Sequence, residues 1–321
     1  MTGFPQAYAI GVPTGFRGLT VREGMVWPGA AGWAEWSPFP DYSGSELVPW
    51  LRAADEAAEL GWPDPVRTVV PVNSTVPAVD PERAAALARA GGCRTAKVKV
   101  AEPGGSLAAD LARVEAVRDA LGPTGRIRVD ANGAWSCDQA QVALRALHRF
   151  GLEYVEQPCR TVEELAALRR WLARTGIDIP IAADESIRRV DDPYRVSALQ
   201  AADIAVLKVQ PLGGVRACLE IAERIGLPVV VSSALETSIG LRAGLALAAA
   251  LPELPYACGL NTAGLLGDDL TTAPLTAVEG VIAVTDLAVD PVALERTRAS
   301  VADQAFWQAR LVQTRMLADH G

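Results

Sequence analysis

The sequence predicts an α/β fold, a β/α barrel capped by an α+β layer, and three observations predict it. From Val66 to about Gly259, short runs rich in Val, Ile and Ala alternate with amphipathic segments of helical period. Five charged residues, Lys99, Asp130, Glu156, Asp184 and Lys208, recur at intervals of 31, 26, 28 and 24 residues, each at or near the end of such a run. That is the spacing of one strand plus one helix, and strand ends are where a β/α barrel keeps its functional groups. The segments on either side lack the alternation and supply the cap.

Residues 1–65 read as an N-terminal α+β capping domain. YAIGV, LTVREGMVW and AGWAEWSP are strand-like, and the GFRG and WPGAAG turns between them favour an antiparallel sheet. Leu47, Leu51, Ala54 and Ala58 place an amphipathic helix over residues 46–60.

Residues 66–275 read as the barrel. VRTVVPVN is its first strand and TAKVKV its second, with a helix over 81–90 between them. A helix over 107–121 buries Leu107, Leu111, Val114, Val117 and Leu121 on one face and stops at Gly122-Pro123. IRVDA, a helix near 138–150, YVEQP, a helix near 162–173 and IAADE continue the rhythm. A shorter helix near 193–199 precedes IAVLKV, GGVRACLEIAERIG precedes VVVSS, and a buried helix over 237–251 precedes YACGL. Eight strand runs result, and the Gly-, Thr- and Pro-rich stretch after the last leaves its helix displaced. The barrel is therefore a modified TIM barrel of (β/α)7β type.

Residues 276–321 read as a C-terminal segment that packs back on the cap, with small strands at EGVIAV and 287–289 and a helix over 292–317.

Composition excludes several classes. The net charge is −8, from 30 basic and 38 acidic residues, and no basic run offers a surface to nucleic acid or an anionic membrane. No apolar run is long enough to span a bilayer, and the first residues lack the pattern of a secretory signal, so the expectation is a cytoplasmic protein. The five cysteines are odd in number and form no CxxC pair, which argues against a disulfide framework or a zinc knuckle. Only two histidines occur, His148 in a helical stretch and His320 next to the end, so zinc hydrolase and serine-triad chemistry lack their usual base. A metal here must be held by oxygen.

Residues two apart on a strand share a face, so Lys97 and Lys99 point the same way, as do Arg128 and Asp130. With Val98 and Val129 facing the helices, the charged residues face inward. Three carboxylates converging on a barrel mouth repel one another unless a cation sits among them, and oxygen donors favour Mg²⁺ first and Mn²⁺ second. A lysine beside a second cation is held partly neutral, which suits it to proton abstraction next to a carboxylate, with Lys97 serving Lys99 in this way. Ordinary ion pairing, for example Lys208 with Asp184, is the competing reading.

The motifs KVK at 97–99, DAN at 130–132, EQP at 156–158, ADES at 183–186, KVQPLGGV at 208–215 and SSALETSIGL at 232–241 resemble the enolase superfamily, muconate-lactonising subgroup. Within it they are most similar to the o-succinylbenzoate synthase family of menaquinone biosynthesis. The resemblance implies Asp130, Glu156 and Asp184 as Mg²⁺ ligands, Lys99 as base and Lys208 facing it across a small-molecule carboxylate substrate. It implies a Mg-dependent syn-dehydration of 2-succinyl-6-hydroxy-2,4-cyclohexadiene-1-carboxylate through an enediolate, in which Lys99 returns the proton to the departing hydroxyl.

Further contacts are expected from Arg128, which either reaches the succinyl carboxylate or pairs with a protein carboxylate. Asn132 is expected to support the metal shell, Ser232 and Ser233 to meet a carboxylate, and Phe16 and Arg17 to close a cap loop over the site. Glu35 and Trp36 are assigned to the cap. N-acylamino-acid racemase or dipeptide epimerase, with the same five residues, is the alternative, and a non-catalytic barrel is the remote one. An aspartate pair on the eighth strand would favour the epimerase, whereas Asp268 and Asp269 fall beyond that strand. A homo-oligomer is compatible with the sequence.

Overall fold

The strand runs pair as their periodicity requires. The computed structural model describes residues 4–16, 18–190 and 192–319 of the 321-residue chain. Arg17 and His320 lie outside the described residues.

The cap sheet is antiparallel in the order β1 (Gln6–Phe16), β2 (Leu19–Pro28) and β3 (Trp33–Trp36). Gly15 and Gly18 turn the β1–β2 hairpin at φ 64° and 74°, a region that a side chain disfavours. The helix Leu47–Asp55 follows and buries Leu47, Trp50 and Leu51 against this sheet. A π turn, Glu56–Leu60, ends it at Gly61.

The barrel strands are β4 (Val69–Val76), β5 (Thr95–Lys99), β6 (Arg126–Asp130), β7 (Leu152–Glu156), β8 (Ile181–Ala183), β9 (Ile204–Leu207), β10 (Val229–Val231) and β11 (Cys258–Asn261). Each is parallel to its neighbours, in sequence order, and β11 returns to pair with β4. Between β10 and β11 the ring is closed by the bridge Ser232–Gly259, with the Ser233 amide donating to the Gly259 carbonyl at 3.1 Å. Side-chain caps start the intervening helices: Asp80 for Pro81–Ala88, Ser106 for Leu107–Leu121, Ser136 for Cys137–Leu147, Thr161 for Val162–Thr175 and Thr237 for Ser238–Ala250. After β11 only a 3-10 turn, Ala263–Leu265, follows where an eighth helix would stand. The (β/α)7β form has this cause.

β12 (Val281–Ala283) adds antiparallel to the start of β4. The strand expected at 287–289 does not form. The Leu287 carbonyl instead accepts from the Arg242 guanidinium, and the Asp290 amide donates to Leu270. The single helix expected over 292–317 is two, Pro291–Arg296 and Val301–Asp319. Between them the chain leaves the helix to pair with β1: the Ala9 amide donates to Thr297 and the Ala299 amide to Ala7. The last helix lies on the cap, where the rings of Trp36 and Trp307 meet edge to face at 5.5 Å.

One core fills the space between barrel wall and helices, and a second fills the cap. The cap core includes Ala234, Leu235 and Ile239, so the loop after β10 is gripped by the cap. A third, small cluster of Tyr154, Ala182, Ile204, Val206 and Val230 plugs the barrel interior. The strand starts are thus filled with side chains and the strand ends are left to the cap loop and to polar groups.

Candidate active site

Four strand steps separate β5 from β9 in a ring of eight, so Lys99, the last residue of β5, and Lys208, the residue after β9, stand on opposite sides of the mouth. Between them on one side lie the ends of β6, β7 and β8, with Asp130, Glu156 and Asp184. In the register Lys99, Asp130 and Glu156 are lateral neighbours. All three carboxylates are at most 1% exposed. A small cavity of about 20 Å³ opens onto Lys97, Lys99, Asn132, Lys208, Ser232 and Ser233, under Phe16 and Phe39 of the cap.

The buried charges satisfy one another. Lys97 Nζ donates to Asp130 Oδ2 at 3.0 Å and to Glu156 Oε1 at 2.8 Å. Lys99 Nζ donates to Asp130 Oδ2 and to Asn132 Oδ1, both at 2.5 Å. Lys208 Nζ donates to Asp184 Oδ2 at 2.6 Å. The pairing named as the competing reading is therefore present, and it lies within the same cavity as the other lysines.

These contacts set the charge states apart. Burial first, opposed by Asp130 and aided by Lys97, lowers Lys99 below the ordinary lysine value. Lys97, although burial opposes it, is driven upward by Asp130 and Glu156. Two lysines two residues apart on one strand face thus diverge, one held as a cation and one eased toward the neutral amine. Glu156 is pushed up to about 7, chiefly by burial and then by Asp130, with Lys97 opposing and Asp184 adding to the rise. Asp184 stays low despite its burial, because Arg188 and Lys208 sit on it.

A divalent cation is the group such a donor set calls for. Among the described residues no three acidic, His or Cys side chains are drawn together as around a metal. The carboxylates hold ammonium groups in that role. The donor chemistry nevertheless fits a hard ion: three buried carboxylates on adjacent strand ends.

The backbone beside the ring is strained. Asn132 and Gln157, immediately beyond β6 and β7, take φ of 47° and 39°, which non-glycine residues seldom adopt. Gln157 justifies its strain by four bonds. Its Oε1 accepts from the amides of Asp184 and Ser186, and its Nε2 donates to Ser186 Oγ and the Cys159 carbonyl. It locks the Asp184 turn in place. The Asn132 amide donates to Asp130 Oδ1 at 3.0 Å, which orients that carboxylate.

Sequence reasoning missed several participants. Arg188 donates through Nε to Asp184 Oδ1 at 2.7 Å and through Nη1 to the Tyr42 hydroxyl of the cap. Its signal was an i, i+4 pair in DESIR on the short helix Glu185–Arg188. Glu35 was assigned to the cap, yet its carboxylate accepts from Thr237 Oγ1 and, at 2.9 Å, from the Gly240 amide, so it ties the cap to the loop after β10. No sequence signal marks that tie, because these two partners are 202 and 205 residues away, whereas within the cap the same carboxylate accepts from Tyr8 and Ser37 at 2.8 Å.

Arg128 requires correction. It faces the barrel axis as alternation requires, but at the floor. Its Nε donates to Glu153 Oε2 at 2.5 Å, and its Nη1 donates to Asn73 and to the Ala257 carbonyl. It stacks between Tyr154 and Tyr256 and is absent from the cavity lining. Two residues before Asp130 means one layer lower on β6, laterally beside Lys97 in the register. Lys97, Lys99, Lys208, Asn132, Ser232 and Ser233 do converge on the cavity. Phe16 lies over Lys99, 5.2 Å from Nζ to the ring centre. Asp269 faces away, accepting from Ser238.

Comparison with known proteins places this geometry. The enolase C-terminal domain-like family matches residues 80–288 and the enolase N-terminal domain-like family residues 7–58. The chain is 61% identical over 315 residues to an o-succinylbenzoate synthase of Thermobifida fusca, covering 98% of this chain and 96% of that one. It is 53% identical over 298 residues to an o-succinylbenzoate synthase of Mycolicibacterium smegmatis, covering 92% and 90%. A crystal structure of muconate lactonizing enzyme from Pseudomonas fluorescens, complexed with muconolactone, superposes with a TM-score of 0.76 at 22% identity, covering 93% of this chain and 99% of that one. That last likeness is one of fold.

Proposed function

The chain belongs to the enolase superfamily, and from that premise we propose that it is a lyase that dehydrates 2-succinyl-6-hydroxy-2,4-cyclohexadiene-1-carboxylate to o-succinylbenzoate. The observation that carries this reading is the 61% identity to an o-succinylbenzoate synthase along 98% of the chain. The roles of individual residues are inferred from the geometry of the mouth.

Members of this superfamily use a divalent metal ion, and Asp130, Glu156 and Asp184 are the residues that would hold it here, with Mg²⁺ the ion best suited to three hard carboxylates. When bound, the ion stabilises negative charge developing on the substrate carboxylate as the neighbouring C–H bond breaks. Lys97 stays charged, holding Asp130 and Glu156 in position from below. Arg188 does the same for Asp184.

Lys99 is the base. Burial and the neighbouring Lys97 ease its proton away, and Asn132 Oδ1 and Asp130 Oδ2 fix its amine. Its Nζ takes the α-proton, and the electron pair of that bond shifts onto the substrate carboxylate, returning to form the new ring double bond as the hydroxyl departs. The same ammonium then gives the proton to the hydroxyl leaving from that face, so the C–O bond breaks and water departs. Base and acid are one group because the two bonds that break share a face. Lys208, across the mouth, remains a cation opposite. Product aromaticity supplies most of the driving force, so one well-placed proton carrier suffices. Phe16 and Phe39 cover the cavity and exclude water.

No acidic pair that would receive an α-ammonium group lines the cavity among the described residues, which disfavours the epimerase alternative. The test is direct. Purified protein with Mg²⁺ should form o-succinylbenzoate, and Lys99→Ala should not. Solvent deuterium entering N-succinyl amino acids without any dehydration would overturn the reading in favour of a racemase.

A further inference from the structure

Lys99 and Lys208 divide the eight-strand mouth into two equal arcs. The acidic arc runs over β6, β7 and β8. The opposite arc runs over β10, β11 and β4, and in the cavity wall it carries no charge among the described residues. It presents hydroxyls: Ser232 and Ser233 after β10, Thr262 after β11 and Thr75 on β4. Ser233 and Thr262 hydrogen-bond each other at 2.9 Å, so between them they have already used one donor.

Thr75 is different. On β4, Ser74 turns outward, donating to the carbonyls of Ala88 and Thr95, and Asn73 turns inward, accepting from Arg128. Alternation then turns Thr75 inward, one layer above Asn73 and laterally beside Lys97 in the register. It is 5% exposed and lines the cavity, and its Oγ1 is buried with no hydrogen-bond partner among the described residues. A buried hydroxyl left unpaired costs folding free energy, and such exceptions ask for a reason. A partner that arrives with the substrate is such a reason.

The substrate has two polar ends. Its ring carboxylate belongs with the acidic arc and the ion held there. The succinyl arm, on the adjacent ring carbon, must run toward the other arc, where hydroxyl donors lie between two lysines. We propose that Thr75 is a specificity-determining residue that donates its unpaired hydroxyl hydrogen to an acceptor oxygen of the succinyl arm. This rests on the dehydratase reading above. The hydroxyl touches the arm and none of the bonds that change, so it acts on binding and leaves the proton transfer alone.

Thr75→Val keeps the shape and removes the donor, and Thr75→Ser keeps the donor. With Mg²⁺ present, the expected results for Thr75→Val are a KM for the cyclohexadiene substrate and an inhibition constant for o-succinylbenzoate each raised about tenfold, the size of one hydrogen bond to an anionic oxygen. The expected kcat stays within about twofold, the inhibition constant of benzoate, which lacks the arm, is unchanged, and Thr75→Ser restores the wild-type values. The melting temperature of unliganded Thr75→Val is expected to equal or exceed that of the wild type, because an unpaired buried group has gone. Equal weakening of benzoate and o-succinylbenzoate, a fall in kcat at constant KM, or no change in any constant overturns the assignment. Should Thr75→Val fail to fold, the hydroxyl is structural and the assignment falls, as it does if Thr75→Ser loses arm binding. Wild-type protein that does not dehydrate the substrate sinks both readings, whereas an active wild type with an unaltered Thr75→Val sinks this one alone.

Discussion

Lys97 and Glu156 form a buried ion pair across the barrel mouth, 2.8 Å from Nζ to Oε1, reaching past β6 from β5 to β7. The same ammonium holds Asp130 at 3.0 Å. Replacing Lys97 with Met leaves two buried carboxylates short of a cation. Removing one partner of a buried pair costs roughly 3–5 kcal/mol, so denaturant unfolding without added metal should show a loss of that order. Added Mg²⁺ should recover part of it, since the ion would supply the missing charge. A Lys97→Met variant as stable as wild type in EDTA would show that the pair contributes nothing.

Lys99 and Lys208 stand on opposite strands of the mouth, and the proposed dehydration assigns them unequal roles. If Lys99 alone carries the proton, Lys99→Ala should lower kcat by at least about 10³-fold. The Lys208→Ala loss should appear as a smaller fall in kcat. Both variants should keep the wild-type circular dichroism spectrum. Equal losses would point to two bases, the arrangement expected of a racemase.

Chelation should abolish activity reversibly. The carboxylates of Asp130, Glu156 and Asp184 are buried and share strand ends, and the amide variant of any one should weaken metal binding. Wild-type protein titrated with Mg²⁺ should gain stability as RT ln(1 + [L]/Kd), about 4 kcal/mol at a thousandfold excess over Kd. Asp130→Asn, Glu156→Gln and Asp184→Asn should each show less. A melting temperature indifferent to the ion would contradict the assignment.

Glu236 gives the protein a stability that falls with pH. Burial, and then Glu35, push its carboxyl from 4.5 up to about 7. The folded state therefore keeps its proton where the unfolded chain has lost it. Stability is full below about pH 4.5 and declines as pH rises toward 7, by roughly 3 kcal/mol in the limit for a shift of this size. Glu236→Gln should lessen the fall of melting temperature between pH 5.5 and 8, leaving the part due to Glu156, and be the more stable form at pH 8. Parallel pH curves for the two proteins would refute this.

What could be read from the chain follows from where each signal resides. Lys99, Asp130, Glu156, Asp184 and Lys208 were legible because barrel strands repeat one layer at one spacing, and period two told their direction. Depth along the axis is a finer property. Arg128 shares a face with Asp130 but sits a layer lower, where Glu153 takes its charge, and strand alternation gives direction without height. Thr75 was hidden for a related reason: nothing in VVPVNSTV separates the hydroxyl of Ser74, satisfied outside the barrel, from that of Thr75, unpaired inside it. Contacts between cap and barrel, such as Glu35 with Thr237, join residues far apart in sequence and leave no periodic trace.

The cap also completes the barrel's own secondary structure, and this gives a last prediction. The helix Val215–Ile225 starts at Gly214, which has no side chain to cap it. Glu56 of the cap does so from across the interface: its Oε2 accepts from the Val215 amide at 2.5 Å, and its Oε1 accepts from the Arg216 amide and guanidinium at 3.2 and 2.7 Å. A carboxylate at a helix N-terminus gains both the unpaired amides and the dipole. The fit is close, since a Cβ on Gly214 would lie 2.1 Å from Glu56 Oε2. Glu56→Ala should therefore cost about 1–3 kcal/mol, and Gly214→Ala at least as much, by displacing the same carboxylate and by straining a backbone held at φ 119°. Because both lose that one contact, and only the strain at Gly214 is separate, the double variant should lose less than the two single losses added together. Additive losses in denaturant unfolding would show that Glu56 and Gly214 act apart.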